Sequence, residues 1–351
     1  MISASRPRRW RSRALILGLG LGTLILRDAR SEPAAQDRLD GLNVVAAPGH
    51  PFGSASAKAS LAKAKALGAR AIAVVPFLWQ ATPASADLER GSDMTDVELR
   101  AGIRDAHALG LAVLVKPHVW VPDSWAGAVA MQSETDWQKW FASYRREVQR
   151  IAQIAEEQGA EAFALGTELE LTTQRPEWNE LIDATRAVYH RRLFYVAHNV
   201  EEAETAAFWD RLDAVGVTLY PPLGADNDLG GRRAAMRATA DRLDMLAVLT
   251  GKPIVVGEIG LRSAAGAAAK PWESVQERAA PPDPALQAAV IADWLDVLDR
   301  PAIGGVMIWE WLTDPDAGGP TDTDFTVQGK PAEHVLMCGW TQQCKVDLGA
   351  P

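Results

Sequence analysis

The chain has 351 residues, 48% of them hydrophobic and 23% charged, with a formal net charge of −9. That length suits one large α/β barrel with ample core, and acidic and basic residues mixed along most of the chain argue against a nucleic-acid partner. Six scattered His, without an H-E-x-x-H or paired-Cys ligand spacing, predict no metal, and no cofactor-binding loop is expected.

The N-terminus stands apart. Arg6, Arg8, Arg9, Arg11 and Arg13 form a basic run without an acid among them, and Ala14 to Leu26 follow as an uncharged apolar stretch. That pattern predicts a signal peptide or an uncleaved N-terminal anchor plus a short linker over 1–36, hence export and a possible membrane tether. The Arg8-Arg9 pair fits twin-arginine export. Gly18, Gly20 and Gly22 follow no strand, so they are not read as a nucleotide loop.

From Leu42 one pattern repeats: a short apolar run, a loop, an amphipathic helix, a glycine, and another apolar run. Leu42–Ala46 and Ala71–Val75 are the first two strands, with the helix Ala55–Leu67 between them, stopped by Gly68. Thr95-Asp96-Val97-Glu98 is a capping box opening a helix that Gly110 ends. Leu111–Val115 is the third strand and runs out into Lys116-Pro117-His118-Val119-Trp120. Ser133 with Asp136 opens a long helix ending before Gly159, and Ala162–Gly166 is the fourth strand. A helix from Pro176 to about Tyr189 leads to the fifth strand, Leu193–Ala197, and Ala214–Leu219 is the sixth. A helix through Met236 and Leu246 stops at Gly251. The seventh strand follows in Lys252–Gly260, a β-branched run that ends on Glu258 between two glycines. Asp283-Pro284 caps the helix Ala285–Leu298, Ile303–Ile308 is the eighth strand, and a last helix spans about Pro331–Met337. Eight such alternations, with each run too apolar to be half exposed, point to a single (β/α)8 TIM barrel over 37–340. An open doubly wound sheet alternates in the same way. The barrel is preferred because polar and aromatic residues gather after nearly every strand. Residues 341–351 read as a C-terminal tail, and Cys338 and Cys344, close together near the C-terminus, form either a disulfide or two free thiols.

In a barrel the carboxyl ends of the strands share one face, where active sites sit. Trp79, Lys116, His118, Trp120, Glu168, Glu170, His198, Asn199, Tyr220, Glu258, Trp309 and Trp311 collect there. Two carboxylates among Trp residues are the minimum set for breaking a glycosidic bond. A structural alternative pairs Glu258 with Arg262. Tyr220 either donates to Glu258 or packs at the rim. Lys116 and His118 contact sugar hydroxyls or cap the barrel, and Trp79 and Trp120 are walls for outlying sugars. Alternation places Trp311 on the side of Trp309, nearer the rim, and turns Glu310 away.

Val115-Lys116-Pro117-His118-Val119, Gly166-Thr167-Glu168-Leu169, Gly257-Glu258-Ile259-Gly260 and Gly329-Lys330-Pro331-Ala332-Glu333 together resemble glycoside hydrolase family 113. That is a clan A family of retaining (β/α)8 enzymes that includes endo-β-1,4-mannanases. The resemblance runs from about Leu42 to Met337. It implies Glu168 as general acid/base, Glu258 as nucleophile and Trp309 as a sugar-stacking indole, with Glu170 the rival for the role of Glu168. Thr167 stands where many clan A enzymes carry Asn, which leaves the sugar 2-hydroxyl contact unassigned, with Asn199 a candidate. The expected function is retaining hydrolysis of a β-linked polysaccharide, β-1,4-mannan by resemblance. The alternatives are a hydrolase or transglycosylase on another β-glucan or cell-surface polysaccharide, and a non-catalytic carbohydrate-binding barrel. The charge of Glu258 is expected to raise the pKa of Glu168 and keep it protonated.

Overall fold

Alternation along the strands divides the apolar residues between two cores. Ala71, Ala73, Leu114, Ala162, Ala164, Phe194, Val196, Val255 and Met307 form one buried cluster. Their neighbours of opposite parity, among them Ile72, Val74, Val113, Val115, Phe163 and Leu165, belong to a second. Successive side chains of a strand face opposite ways, so the first set fills a barrel lumen and the second packs under a coat of helices. In a computed structural model, described over residues 38–91, 94–341 and 344, that is the arrangement.

The strands are β1 (Gly41–Val45), β2 (Ala71–Val74), β3 (Phe77–Trp79), β4 (Glu89–Arg90), β5 (Ala112–Val115), β6 (His118–Trp120), β7 (Ala162–Thr167), β8 (Arg192–His198), β9 (Val215–Leu219), β10 (Ile254–Ile259) and β11 (Ile303–Leu312). Eight of them close a parallel barrel in the order β1-β11-β10-β9-β8-β7-β5-β2. The helices are α1 (Ala55–Ala66), α2 (Asp96–Ala108), α3 (Glu134–Gln158), α4 (Glu177–Arg186), α5 (Asn199–Thr205), α6 (Leu229–Thr250), α7 (Pro284–Val297) and α8 (Pro331–Thr341). The fold is therefore the TIM barrel the alternation predicts.

Local chemistry sets the helix ends. Ser54, Thr95, Ser133 and Asp283 each accept a backbone N–H of the following turn, and Thr95 with Glu98 completes the capping box. Gly159 ends α3 at φ 79°, a left-handed conformation costly for any other residue.

Three features depart from the sequence reading. A short helix, α5, begins directly after His198. The segments after β2 and β5, read as loops, pair in a small sheet of order β4-β3-β6 with Trp79 opposite Trp120. Strand β11 continues past Ile308 to Leu312. The signal or anchor over 1–36 lies outside the described residues, as does most of the tail 341–351, while Cys338 and Cys344 are disulfide-bonded. Among the described residues no helix is long and apolar enough to cross a membrane.

Candidate active site

Lumen parity carries several polar residues to the carboxyl end of the barrel. On β5 the lumen residue Leu114 is followed at the same parity by Lys116 and His118. On β8, Phe194 and Val196 lead to His198, and on β9, Ala214 leads to Thr218 and Tyr220. Glu258 is out of step with Val255, yet it arrives on the same side because β10 slips register against β9. Val256 pairs with Val217 but Glu258 already pairs with Thr218. Gly257 permits the slip, since a Cβ there would meet both methyls of Val196 at 3.0 Å.

Glu258 is buried, with Oε2 taking Lys116 Nζ at 2.5 Å and Oε1 taking the Tyr220 hydroxyl at 2.9 Å. Lys116 is wholly buried, and its ammonium stands 5.3 Å from the centroid of the Trp309 ring. Burial pushes the Tyr220 phenol well above its usual pKa, and the charges of Glu258 and Glu168 add to this, so Tyr220 keeps its proton and donates it. Arg262 does not pair with Glu258; it donates to the carbonyls of Thr323, Ser274 and Arg278 and ties down the loop after β10.

Glu168 follows β7 at φ 56°, a left-handed conformation disfavoured for a residue with a side chain, and its own N–H is fixed to Val196 O at 2.8 Å. Its Oε1 accepts from Thr218 Oγ1 at 2.6 Å and meets His198 Nδ1 at 3.0 Å, while Oε2 lies 3.8 Å from His118 Nε2. Burial pushes the carboxyl up, but the His198 hydrogen bond and charge, the His118 charge and the Thr218 hydroxyl together pull it down to about 2. His198 moves the other way: burial lowers its pKa, and the hydrogen bond and charge of Glu168, with the charges of Glu170 and Glu202, raise it overall. The expectation that Glu258 holds Glu168 protonated is thus corrected for the free protein. Lys116 compensates the charge of Glu258, and His198, whose Nδ1 faces Glu168 Oε1 while Asn199 Nδ2 occupies its Nε2, favours the ionised carboxylate.

The His198 ring is itself held. Its Nε2 lies 3.0 Å from Asn199 Nδ2, and its backbone N–H donates to Glu202, which also accepts from the Tyr195 hydroxyl at 2.6 Å. The Tyr195 oxygen in turn accepts from the Leu169 N–H at 2.6 Å, closing a loop from Glu168 back to its partner. Burial raises the Glu202 carboxyl to about 7. Sequence reasoning missed Glu202 and Tyr195. Their one signal is the four-residue spacing of His198 and Glu202, which becomes informative when a helix starts between them.

Thr218 and Tyr220 lie two apart along one course of chain, so they face the same way, and each grips one of the two carboxylates. Glu168 and Glu258 therefore open onto one cleft. Trp79 and Trp120 are about half exposed, with ring centroids 6.0 Å apart. Trp309 is partly buried under Lys116.

Other expectations fail. Trp311 is fully buried, its indole N–H donating to Ser60 Oγ of α1 at 2.7 Å, so it is no sugar contact. The cause is a register slip between β1 and β11, where Leu42 pairs with Ile308 but Val44 with Trp311, which reverses parity past Trp309. Glu310 follows Trp309 on β11. Burial lifts its carboxyl to about 8, and the charges of Asp324, Glu258 and Asp322 act in the same direction. Asn199 spends its amide oxygen on the Tyr220 N–H at 2.9 Å, so it braces the site from behind. Thr167 donates to Pro117 O, and Glu170 reaches His198 by charge alone. The Gly329–Glu333 motif is an anchor, with Lys330 Nζ bound to Asp322 Oδ1 at 2.6 Å and to Asp324 O at 3.0 Å.

The family profile described as Glycoside Hydrolase Family 113 matches residues 45–330. Among solved structures, the chain is similar to a β-mannanase of that family from Alicyclobacillus acidocaldarius, in complex with ManMIm. Identity is 25% and the TM-score 0.78, over 87% of this chain and 97% of that one. A second β-1,4-mannanase of the family is 26% identical with TM-score 0.78, over 88% of this chain and 100% of that one. A β-glucuronidase from Ruminococcus gnavus, 14% identical with TM-score 0.60 over 86% of this chain and 50% of that one, shares the fold. No curated protein sequence matches.

Proposed function

Because the chain belongs to glycoside hydrolase family 113, we propose that it cleaves β-1,4-mannan with retention of configuration, Glu258 acting as nucleophile and Glu168 as acid/base. The observation that carries the reading is the unequal treatment of two carboxylates on one cleft. Glu258 is held by a cation and a phenol, whereas Glu168 is held by an imidazole and a hydroxyl.

In the first half-reaction a Glu258 oxygen bonds to the anomeric carbon as the glycosidic C–O bond breaks, and Glu168 protonates the departing oxygen. Glu168 Oε1 is engaged by His198 Nδ1 at 3.0 Å and by Thr218 Oγ1 at 2.6 Å, so the proton for the leaving oxygen is carried on Oε2, the oxygen less engaged by neighbours. In the second half-reaction Glu168 takes a proton from water, the water oxygen bonds to the anomeric carbon, and the bond to Glu258 breaks. Lys116 balances the charge of Glu258 before attack and after release. Trp309 supplies the flat wall of the reacting sugar's site, with Trp79 and Trp120 further out.

A polysaccharide panel tests substrate and reaction together. The parent is expected to release sugars from β-1,4-mannan, with Glu258→Ala inactive. Glu168→Ala should lose about 10²–10⁴-fold on poor leaving groups and recover with azide. The first product seen by NMR should be the β-anomer; an α-anomer would refute retention, and azide rescue of Glu170→Ala instead would reassign the acid.

We also propose export. The basic and apolar N-terminal runs and the Cys338–Cys344 bond both suit an oxidising compartment. Cell fractionation tests this, and recovery of the protein in the cytosol alone would overturn it.

A further inference from the structure

Trp125 is absent from the residues singled out above, yet it lies beside the acid. It sits in the loop after β6, at the entrance to the 3-10 turn Ala126–Ala128. That turn packs against the 3-10 turn Glu170–Thr172, which comes just after Glu168. Its ring centroid is 4.7 Å from that of His198, whose Nδ1 meets Glu168 Oε1 at 3.0 Å. On another side the indole rests on Gly127. A Cβ there would stand 2.1 Å from Cη2, 2.2 Å from Cζ3 and 2.6 Å from Cζ2 of the ring, so this position admits no side chain while the ring stays where it is. Despite both supports, 41% of Trp125 remains exposed.

An indole fixed by backbone and imidazole but open to solvent has already lost the freedom that binding would otherwise cost. Trp79 and Trp120 belong to another group of rings. They lean on each other and reach His118 through Phe77, whose centroid is 5.9 Å from that of His118. Trp125 adjoins His198, which borders Oε1 of Glu168.

We propose that Trp125, seated on Gly127 and against His198, is the stacking platform for the pyranose on the leaving-group side of the scissile bond. This rests on the reading of Glu168 as acid/base. The same platform receives an acceptor sugar when transfer competes with hydrolysis.

The test compares kcat/KM on β-1,4-mannopentaose, which leaves a sugar, with kcat/KM on 2,4-dinitrophenyl β-mannobioside, which leaves an aryl group needing no acid. The ratio of the two should fall about tenfold in Trp125→Ala, equivalent to roughly 1.4 kcal/mol of lost stacking. Trp125→Phe, which keeps a flat ring, should stay within about threefold of the parent ratio. Gly127→Ala, verified as folded by its melting temperature, should lower the ratio in the same direction. An unchanged ratio in Trp125→Ala, or Trp125→Phe as poor as Trp125→Ala, overturns the platform, and a folded Gly127→Ala with the parent ratio overturns its seating. A parent inactive on both substrates would overturn the mannanase reading itself and the platform with it.

Discussion

Replacing Lys116 with Met deletes the cation bonded to Glu258 and leaves the carboxylate in a site where water does not compensate it. Lys116 has a side-chain exposure of 0% and Glu258 one of 7%, at 2.5 Å separation. An exposed pair would contribute about 0–1 kcal/mol. Breaking a buried pair from one side costs about 3–5 kcal/mol, because the remaining charge is stranded. Tyr220 retains its hydrogen bond to Oε1 in the variant, which offsets part of the loss. We therefore expect about 4 kcal/mol, or a fall in Tm of about 10 °C for a domain of this size. Glu258→Gln strands the ammonium and should cost a similar amount. The double variant carries neither charge and should be no less stable than either single one, giving a coupling of about 3–5 kcal/mol in the cycle. Urea melts of the four proteins measure this without reference to activity. A cost below about 1 kcal/mol for Lys116→Met, or additive singles, would show that the ammonium and carboxylate are solvated and do not act as a unit.

Other expectations follow from the same geometry. His198→Ala removes the hydrogen bond and charge that hold the Glu168 carboxyl low, so that carboxyl rises. The alkaline limb of the kcat/KM profile should move to higher pH, and an unmoved limb would show that His198 does not set the acid. Glu202, raised by burial to about 7, binds its proton more tightly folded than unfolded, so it lowers stability as pH rises from about 4.5 to 7. Glu202→Gln should flatten that decline by up to about 3 kcal/mol in denaturant melts, and a slope matching the parent would count against a buried acid there. Trp311→Ala should cost about 3–5 kcal/mol of stability through the cavity it leaves against α1, whereas Trp309→Ala should chiefly raise KM for mannooligosaccharides. A substrate-affinity loss in Trp311→Ala larger than in Trp309→Ala would restore Trp311 to the cleft.

Much of the barrel was legible because its signals are local. Most barrel strands are short apolar runs of strict parity, and several helices carry their own caps, as at Thr95, Ser133, Asp283 and Gly159. Strand ends therefore pointed to Lys116, His118, Glu168, Tyr220 and Glu258 before any contact was visible. What alternation could not carry was a change of parity. The slip beside Gly257 brings Glu258 into register with Thr218 and so to the side of Lys116 and Tyr220, and the slip before Trp311 takes that indole out of the cleft and into the helix layer. Both depend on pairing with a neighbouring strand far away in sequence, so neither leaves a mark in the run that contains it. Protonation was hidden for the same reason. Glu168 lies low and Glu202 high because of His198, Thr218 and burial, which come together only when β7, β8 and β9 stand side by side. By itself the sequence determined which residues reach the mouth of the barrel, since strand length and period two decide that. Tertiary structure decided which way each one faces and which way its pKa moves, because facing and charge are set by neighbours that the chain supplies from elsewhere.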